Sequence, residues 1–188
     1  MLACRVRLAG RGEINDYRPL RFQELLEILH IKRKGENCMI KVQASIVINT
    51  TPENIFAAMI DTKRHREFVY NYVDQYDGPE FLSAGTYFHW HMRLYGLTLR
   101  VHSLVSAFDP PGQYQETICI NGFMKAILTK TMETDKGGTL LTWTWEYVPA
   151  FGILGKIVDR IIGGQGTARK GVEESLKMIK AVIELRKE

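Results

Sequence analysis

Cysteine is scarce in this sequence: Cys4, Cys38 and Cys119 are odd in number and far apart, with no C-x-x-C pair. That pattern argues against a disulfide scaffold and fits a reducing compartment. No run of about 18 apolar residues exists, so no membrane-spanning helix is expected. The start, Met1-Leu2-Ala3-Cys4-Arg5, lacks the apolar core of a signal peptide. A cytoplasmic location is the expectation, and the sequon Asn49-Thr50-Thr51 matters only in a secreted chain. Neither sign of charge dominates. The net charge is +4, and residues 1–38 carry +3 of it, with 8 Lys/Arg against 5 Asp/Glu. The remaining 17 basic and 16 acidic residues nearly cancel. A nucleic-acid binder more often shows a basic face or stripe, so no nucleic-acid partner is expected.

Motifs of known chemistry are also missing. There is no G-x-S-x-G and no H-E-x-x-H. Gly163-Gly164-Gln165-Gly166 follows a helical pattern rather than a strand, which excludes a dinucleotide fingerprint. Gly166 and Gly171 have P-loop spacing, but Val172 stands where the lysine must be. The glycine cluster reads as a helix break or as a hinge.

What is present is an ordinary globular composition, 45% hydrophobic and 24% charged over 188 residues. It suits one domain, or one domain with an extension. Residues 1–38 read apart from the rest, with scattered arginines and a short apolar pattern, Leu20 to Leu29, closed by Lys32-Arg33-Lys34-Gly35. They are expected to be an N-terminal extension, either a short surface helix or a non-native start. The domain is expected to be 39–188.

From Met39 the period becomes two. Ile40, Val42, Ala44, Ile46 and Ile48 alternate with more polar neighbours, which predicts a half-buried strand. Thr51-Pro52 predicts a helix start with Thr51 as N-cap. Ile55, Phe56, Met59 and Ile60 form that helix's apolar face, and a second short helix follows Asp61 or Thr62. Strands are predicted at 73–76, 86–95, 97–108, 113–120, 123–133 and 139–148, separated by turn residues such as Gly96 and Asn121-Gly122. An apolar segment, Ile153 to Ile162, precedes the last helix, which is expected to start at Thr167 and to present Val172, Leu176, Ile179, Val182 and Ile183. Short connections make the sheet antiparallel, and one long helix must cover it. The fold class is α+β, with six to seven strands, two short helices after the first strand and a long C-terminal helix. A sheet curved around a helix does not pack flat everywhere, so a cavity between them is expected.

Certain segments carry a resemblance: Ile46-Val47-Ile48-Asn49-Thr50-Thr51-Pro52-Glu53-Asn54-Ile55-Phe56 with Asp61, then Gly85, then Phe108-Asp109-Pro110-Pro111. Gly138-Thr139-Leu140-Leu141-Thr142-Trp143 and the helix from Arg169 to Leu176 complete it. In order and spacing they resemble the START-like, or SRPBCC, helix-grip superfamily, most nearly its polyketide cyclase/dehydrase and lipid-transport branch. Phe68 and Tyr70 stand where that family commonly has Trp. The resemblance implies a cavity for a hydrophobic or amphipathic molecule. It does not choose among lipid carriers, quinone binders, cyclases and allergen-like binders.

On strand 86–95, Phe88, Trp90 and Met92 share one face, and Tyr87, His89, His91 and Arg93 share the other. Trp143, Trp145 and Tyr147 share a face of the last strand. Aromatic and methionine side chains make either ligand walls or plain core. The candidate ligand-binding residues are therefore Phe56, Phe88, Trp90, Met92, Trp143 and Trp145, with Ile153, Leu154, Ile157 and Ile161 at the cavity mouth. His89 and His91 suit a metal only with a third ligand from His102, Glu116 or Glu146, which local spacing does not secure, so no metal site is expected. No cofactor is expected. Glu116 and Glu146 would act as acid or base only if buried, and strand carboxylates are more often exposed.

The leading expectation is a non-enzymatic binder or carrier of a lipid, quinone or polyketide-like molecule, with transient membrane-surface contact through 153–162. The second is a cyclase or dehydratase in which His89, His91, Arg93 or Tyr147 handles protons, which requires those groups to point inward. The third is a module that binds a protein partner.

Overall fold

The computed structural model describes residues 39–121, 124–148 and 163–185. The N-terminal extension and the segment holding Ile153, Leu154, Ile157 and Ile161 lie outside the described residues.

Strand β1 (Ile40–Ile48) leads into helix α1 (Pro52–Ile60), a 3-10 turn (Thr62–Arg64) and helix α2 (His65–Phe68). Six strands then follow: β2 (Tyr72–Asp77), β3 (Tyr87–Leu94), β4 (Leu97–Asp109), β5 (Gln113–Ile120), β6 (Met124–Asp135) and β7 (Gly138–Val148). Helix α3 (Gly164–Leu185) follows β7. The sheet order is β1-β7-β6-β5-β4-β3-β2, and every neighbouring pair is antiparallel. The expected α+β architecture is the observed one, with seven strands.

Local chemistry explains the boundaries. Pro52 opens α1, where its missing N–H costs nothing. Thr51 occupies the cap position with extended backbone, but its side chain makes no capping hydrogen bond. Asp61 does cap, accepting from the Lys63 N–H at 3.1 Å. Tyr95 (φ 49°) and Gly96 (φ 79°) form the β3–β4 turn, where positive φ at both positions matches the twist of the strands. Gly138 (φ 136°) begins β7 because a Cβ there would collide with the Ile48 carbonyl oxygen and sit 2.9 Å from the Asn49 Cα. Beside it, the buried Thr139 hydroxyl donates to the Thr50 carbonyl at 2.7 Å.

Register shifts in β2 and between Val105 and Ala107 of β4 bend the far half of the sheet. Helix α3 begins at Gly164, so Thr167 lies in its first turn rather than before it. The Thr167 N–H and hydroxyl both bond back to the Gly163 carbonyl, at 2.9 and 3.2 Å. With 22 residues, α3 is about 33 Å long. Val172, Leu176, Ile179 and Ile183 are buried, at helical spacing. Lys180 Nζ donates to the Val47 carbonyl at 2.7 Å, and Glu184 accepts from the Asn49 N–H at 2.9 Å, so the end of α3 is tied to β1. Near its middle, Ser175 Oγ accepts from the Tyr70 N–H at 2.9 Å. No described helix is long and apolar enough to cross a membrane.

Candidate functional site

Strand register builds the site. In β5, β6 and β7, Tyr114, Lys130 and Trp143 stand in one cross-strand row. Glu116, Leu128 and Trp145 form the next row, then Ile118, Ala126 and Tyr147. Side chains two apart share a face, so these rows look the same way, toward α3. Phe88, Trp90 and Met92 extend that face on β3.

The part of α3 facing these rows carries small residues. Gly164, Thr167, Ala168, Gly171 and Ser175 recur at helical spacing, and their short side chains leave room between the helix and the sheet. From Leu176 onward, larger side chains fill the gap. A space of about 240 Å³ is thus left among the described residues. A dry cavity of about 150 Å³ admits benzene, so this one has room for a larger ring system. Its walls include Trp90, Met92, Leu94, Trp143, Trp145 and Tyr147. Across it, Tyr95 Oη and Thr167 Oγ1 lie 2.8 Å apart and join the β3–β4 turn to the first turns of α3.

One wall is polar and buried. Lys130 Nζ lies 3.3 Å from Glu116 Oε1, with the two side chains only 2% and 5% exposed. The ammonium also sits 4.7 Å from the Tyr114 ring centroid and 4.8 Å from that of Trp143. The two ring faces supply part of the stabilisation that water would otherwise give. Burial holds the Lys130 pKa below its ordinary value, while Glu116 pulls it back upward. His65, from α2, lines the same space. Its Nε2 donates to the Met59 carbonyl at 2.9 Å, which assigns the proton to that nitrogen. Burial, and then the Lys130 charge, push the His65 pKa down to about 4, so the ring is neutral at pH 7. Among the described residues, the buried Trp143 Nε1 has no hydrogen-bond partner, while the buried Tyr114 Oη lies near the Glu116 carboxylate. Burial, then the nearby Glu116 carboxylate, push the Tyr114 phenol well above its usual range. Trp90 Nε1, by contrast, donates to Ser103 Oγ at 3.0 Å.

The sequence candidates divide. Phe88, Trp90, Met92, Trp143, Trp145 and Tyr147 line the space. Phe56 does not: it packs edge-on against Phe108, with centroids 5.1 Å apart. Helical period announces that Phe56 is buried but not which part of the sheet α1 covers. His89, His91 and Arg93 are on the opposite face, as strand parity requires, and do not reach the space. His89 Nδ1 lies 3.0 Å from Asp77 and His91 Nδ1 lies 2.6 Å from Asp74, both on edge strand β2. Tyr76 stacks on both imidazoles, and His102 meets His89 edge-on at 4.7 Å. Glu116 is on the other face, and Glu146 sits four strands away beside Lys41. Among the described residues, no three His, Cys, Asp or Glu are placed to hold a metal ion.

Lys130 and His65 are not among the sequence candidates. A signal for Lys130 exists: it shares the parity of Ala126, Leu128 and Met132, an apolar row in which a lysine is out of place.

Residues 39–184 match the family described as polyketide cyclase/dehydrase and lipid transport. The chain belongs to this family. Its sheet, paired short helices and long terminal helix are the helix-grip fold of the SRPBCC proteins. Among solved structures, TTHA0849 from Thermus thermophilus is 17% identical with a TM-score of 0.66, covering 79% of this chain and all of its own. Ara h 8.0201 is 15% identical with a TM-score of 0.54, covering 77% and 97%. The di-domain ARO/CYC StfQ of the steffimycin biosynthetic pathway is 10% identical with a TM-score of 0.67, covering 87% of this chain and 59% of its own. At these identities the likeness is one of fold. No curated protein matches the sequence.

Proposed function

We propose that the protein binds a small, largely apolar molecule between its sheet and α3, as a binder or carrier. The observation behind this reading is the pairing of a small-residue helix stripe with rows of aromatic residues across a space of about 240 Å³. Binding would replace poorly hydrated apolar wall with ligand contacts. All three tryptophans, Trp90, Trp143 and Trp145, border this space, so intrinsic fluorescence reports occupancy directly. Native mass spectrometry of freshly purified protein, with solvent extraction of any bound molecule, tests the reading. A stoichiometric lipid, quinone or aromatic polyketide supports it. If Trp90→Leu and Trp143→Leu together leave affinity for the extracted molecule unchanged, the pocket assignment is wrong.

A second reading, a cyclase or dehydratase on a polyketide-like substrate, is favoured by the ionisable groups in the cavity wall. His89, His91 and Arg93 face away, so proton handling would fall to Glu116, Lys130 and Tyr147. Incubation with a short poly-β-ketone thioester tests it. Ring closure or loss of water that depends on Lys130 supports an enzyme, and an unchanged substrate returns the protein to the binder class.

A further inference from the structure

We infer that the Lys130–Glu116 pair is a subsite for a neutral hydroxyl, phenolic or enolic, carried on the ligand's ring system. This rests on the cavity reading above and specifies which end of the ligand meets which wall. Both side chains border the space and both are almost wholly buried. The separation of 3.3 Å exceeds the usual 2.7–2.9 Å of an ammonium–carboxylate contact. Among the described residues, this is the one hydrogen bond Lys130 Nζ makes, and its other close neighbours are ring faces. An ammonium has three N–H donors, so donor capacity remains beside the cavity.

The choice of ligand group follows from having both charges in one place. A hydroxyl accepts from Lys130 and donates to Glu116 through the same oxygen, so it satisfies both partners. A carboxylate would gain from Lys130 but be repelled by Glu116, and an ammonium would suffer the reverse. An ether or ketone accepts from Lys130 and gives Glu116 nothing. The surrounding walls, Leu128, Trp143, Trp145 and Tyr147, favour a flat apolar body around that oxygen.

The test uses the full-length protein and four probes on one ring system: naphthalene, 2-naphthol, 2-methoxynaphthalene and 2-naphthoate, measured by calorimetry. The expected order puts 2-naphthol first, roughly tenfold or more above naphthalene, as a hydrogen bond to a charged group in a buried site would give. The methoxy ether and the carboxylate should fall below the naphthol. In the double variant Glu116→Gln with Lys130→Met, naphthalene binding should persist while the naphthol preference collapses. Equal binding of naphthalene and naphthol by the native protein, or a preference that survives in the double variant, overturns the inference and leaves the cavity reading intact. A preference for the carboxylate also overturns it. Failure of all four probes to bind overturns the inference together with the cavity reading.

Discussion

Removing the Lys130 charge alone should damage the protein more than removing both members of the pair. As whole residues, Lys130 and Glu116 are 1% and 3% exposed, so neither can turn to water when its partner is lost. In Lys130→Met the carboxylate stays buried without its cation, and breaking a buried pair in this way costs about 3–5 kcal/mol. For a domain of this size, about 2–4 °C of melting temperature is lost per kcal/mol, so the expected drop is roughly 6–20 °C. Glu116→Gln should also destabilise, because burial already disfavours the charged form of Lys130 and Glu116 opposes that effect. In the double variant no net charge remains buried. Its stability should return to within about 1–2 kcal/mol of the native protein, since apolar or neutral replacement of a whole buried pair is often close to neutral. Urea unfolding followed by circular dichroism gives all four corners of the cycle. If each single change costs under about 1 kcal/mol and the double is their sum, the pair is not coupled in a buried environment, and the polar wall described above is wrong.

Acid should expose His65. Its folded pKa of about 4 lies below the ordinary 6.5, so the unfolded chain binds the extra proton first. Stability from this group is fully present above about pH 6.5 and is lost as pH falls toward 4. The full loss is about 3 kcal/mol, and His65→Gln should flatten that part of the pH–stability curve. Ala168→Phe should fill the cavity from the helix side. Ligand binding should fall at least tenfold while the circular dichroism spectrum stays native. A fully retained affinity would place the ligand elsewhere. Gly138→Ala should lose several kcal/mol or fail to fold, because its Cβ meets backbone at positive φ. Gly85→Ala, also at positive φ but with open space around it, should cost only about 1 kcal/mol. Equal melting temperatures for these two variants would refute the close approach of Gly138 to Ile48.

Much of the architecture is legible because strand and helix periods are written directly in the chain. The alternation from Ile40 to Ile48 and from Phe88 to Met92 sets which side chains share a face, and Pro52, Gly96 and Gly138 mark where elements start or turn. The same parity, with no tertiary information, separates Phe88, Trp90 and Met92 from His89, His91 and Arg93. It does not say which face looks inward, because period two is symmetric between the two sides of a sheet. Cross-strand register decides that Lys130 lies between Tyr114 and Trp143 and near Glu116, four residues drawn from three strands. Thr167 reads as a cap because glycines usually end helices, yet Gly164 and Gly166 are inside α3, where with Ala168 and Gly171 they keep its first turns slender. Local sequence thus determined the elements and their two faces. Where the cavity lies and which charges it encloses depend on neighbours far apart in the chain, and only the tertiary structure brings those together.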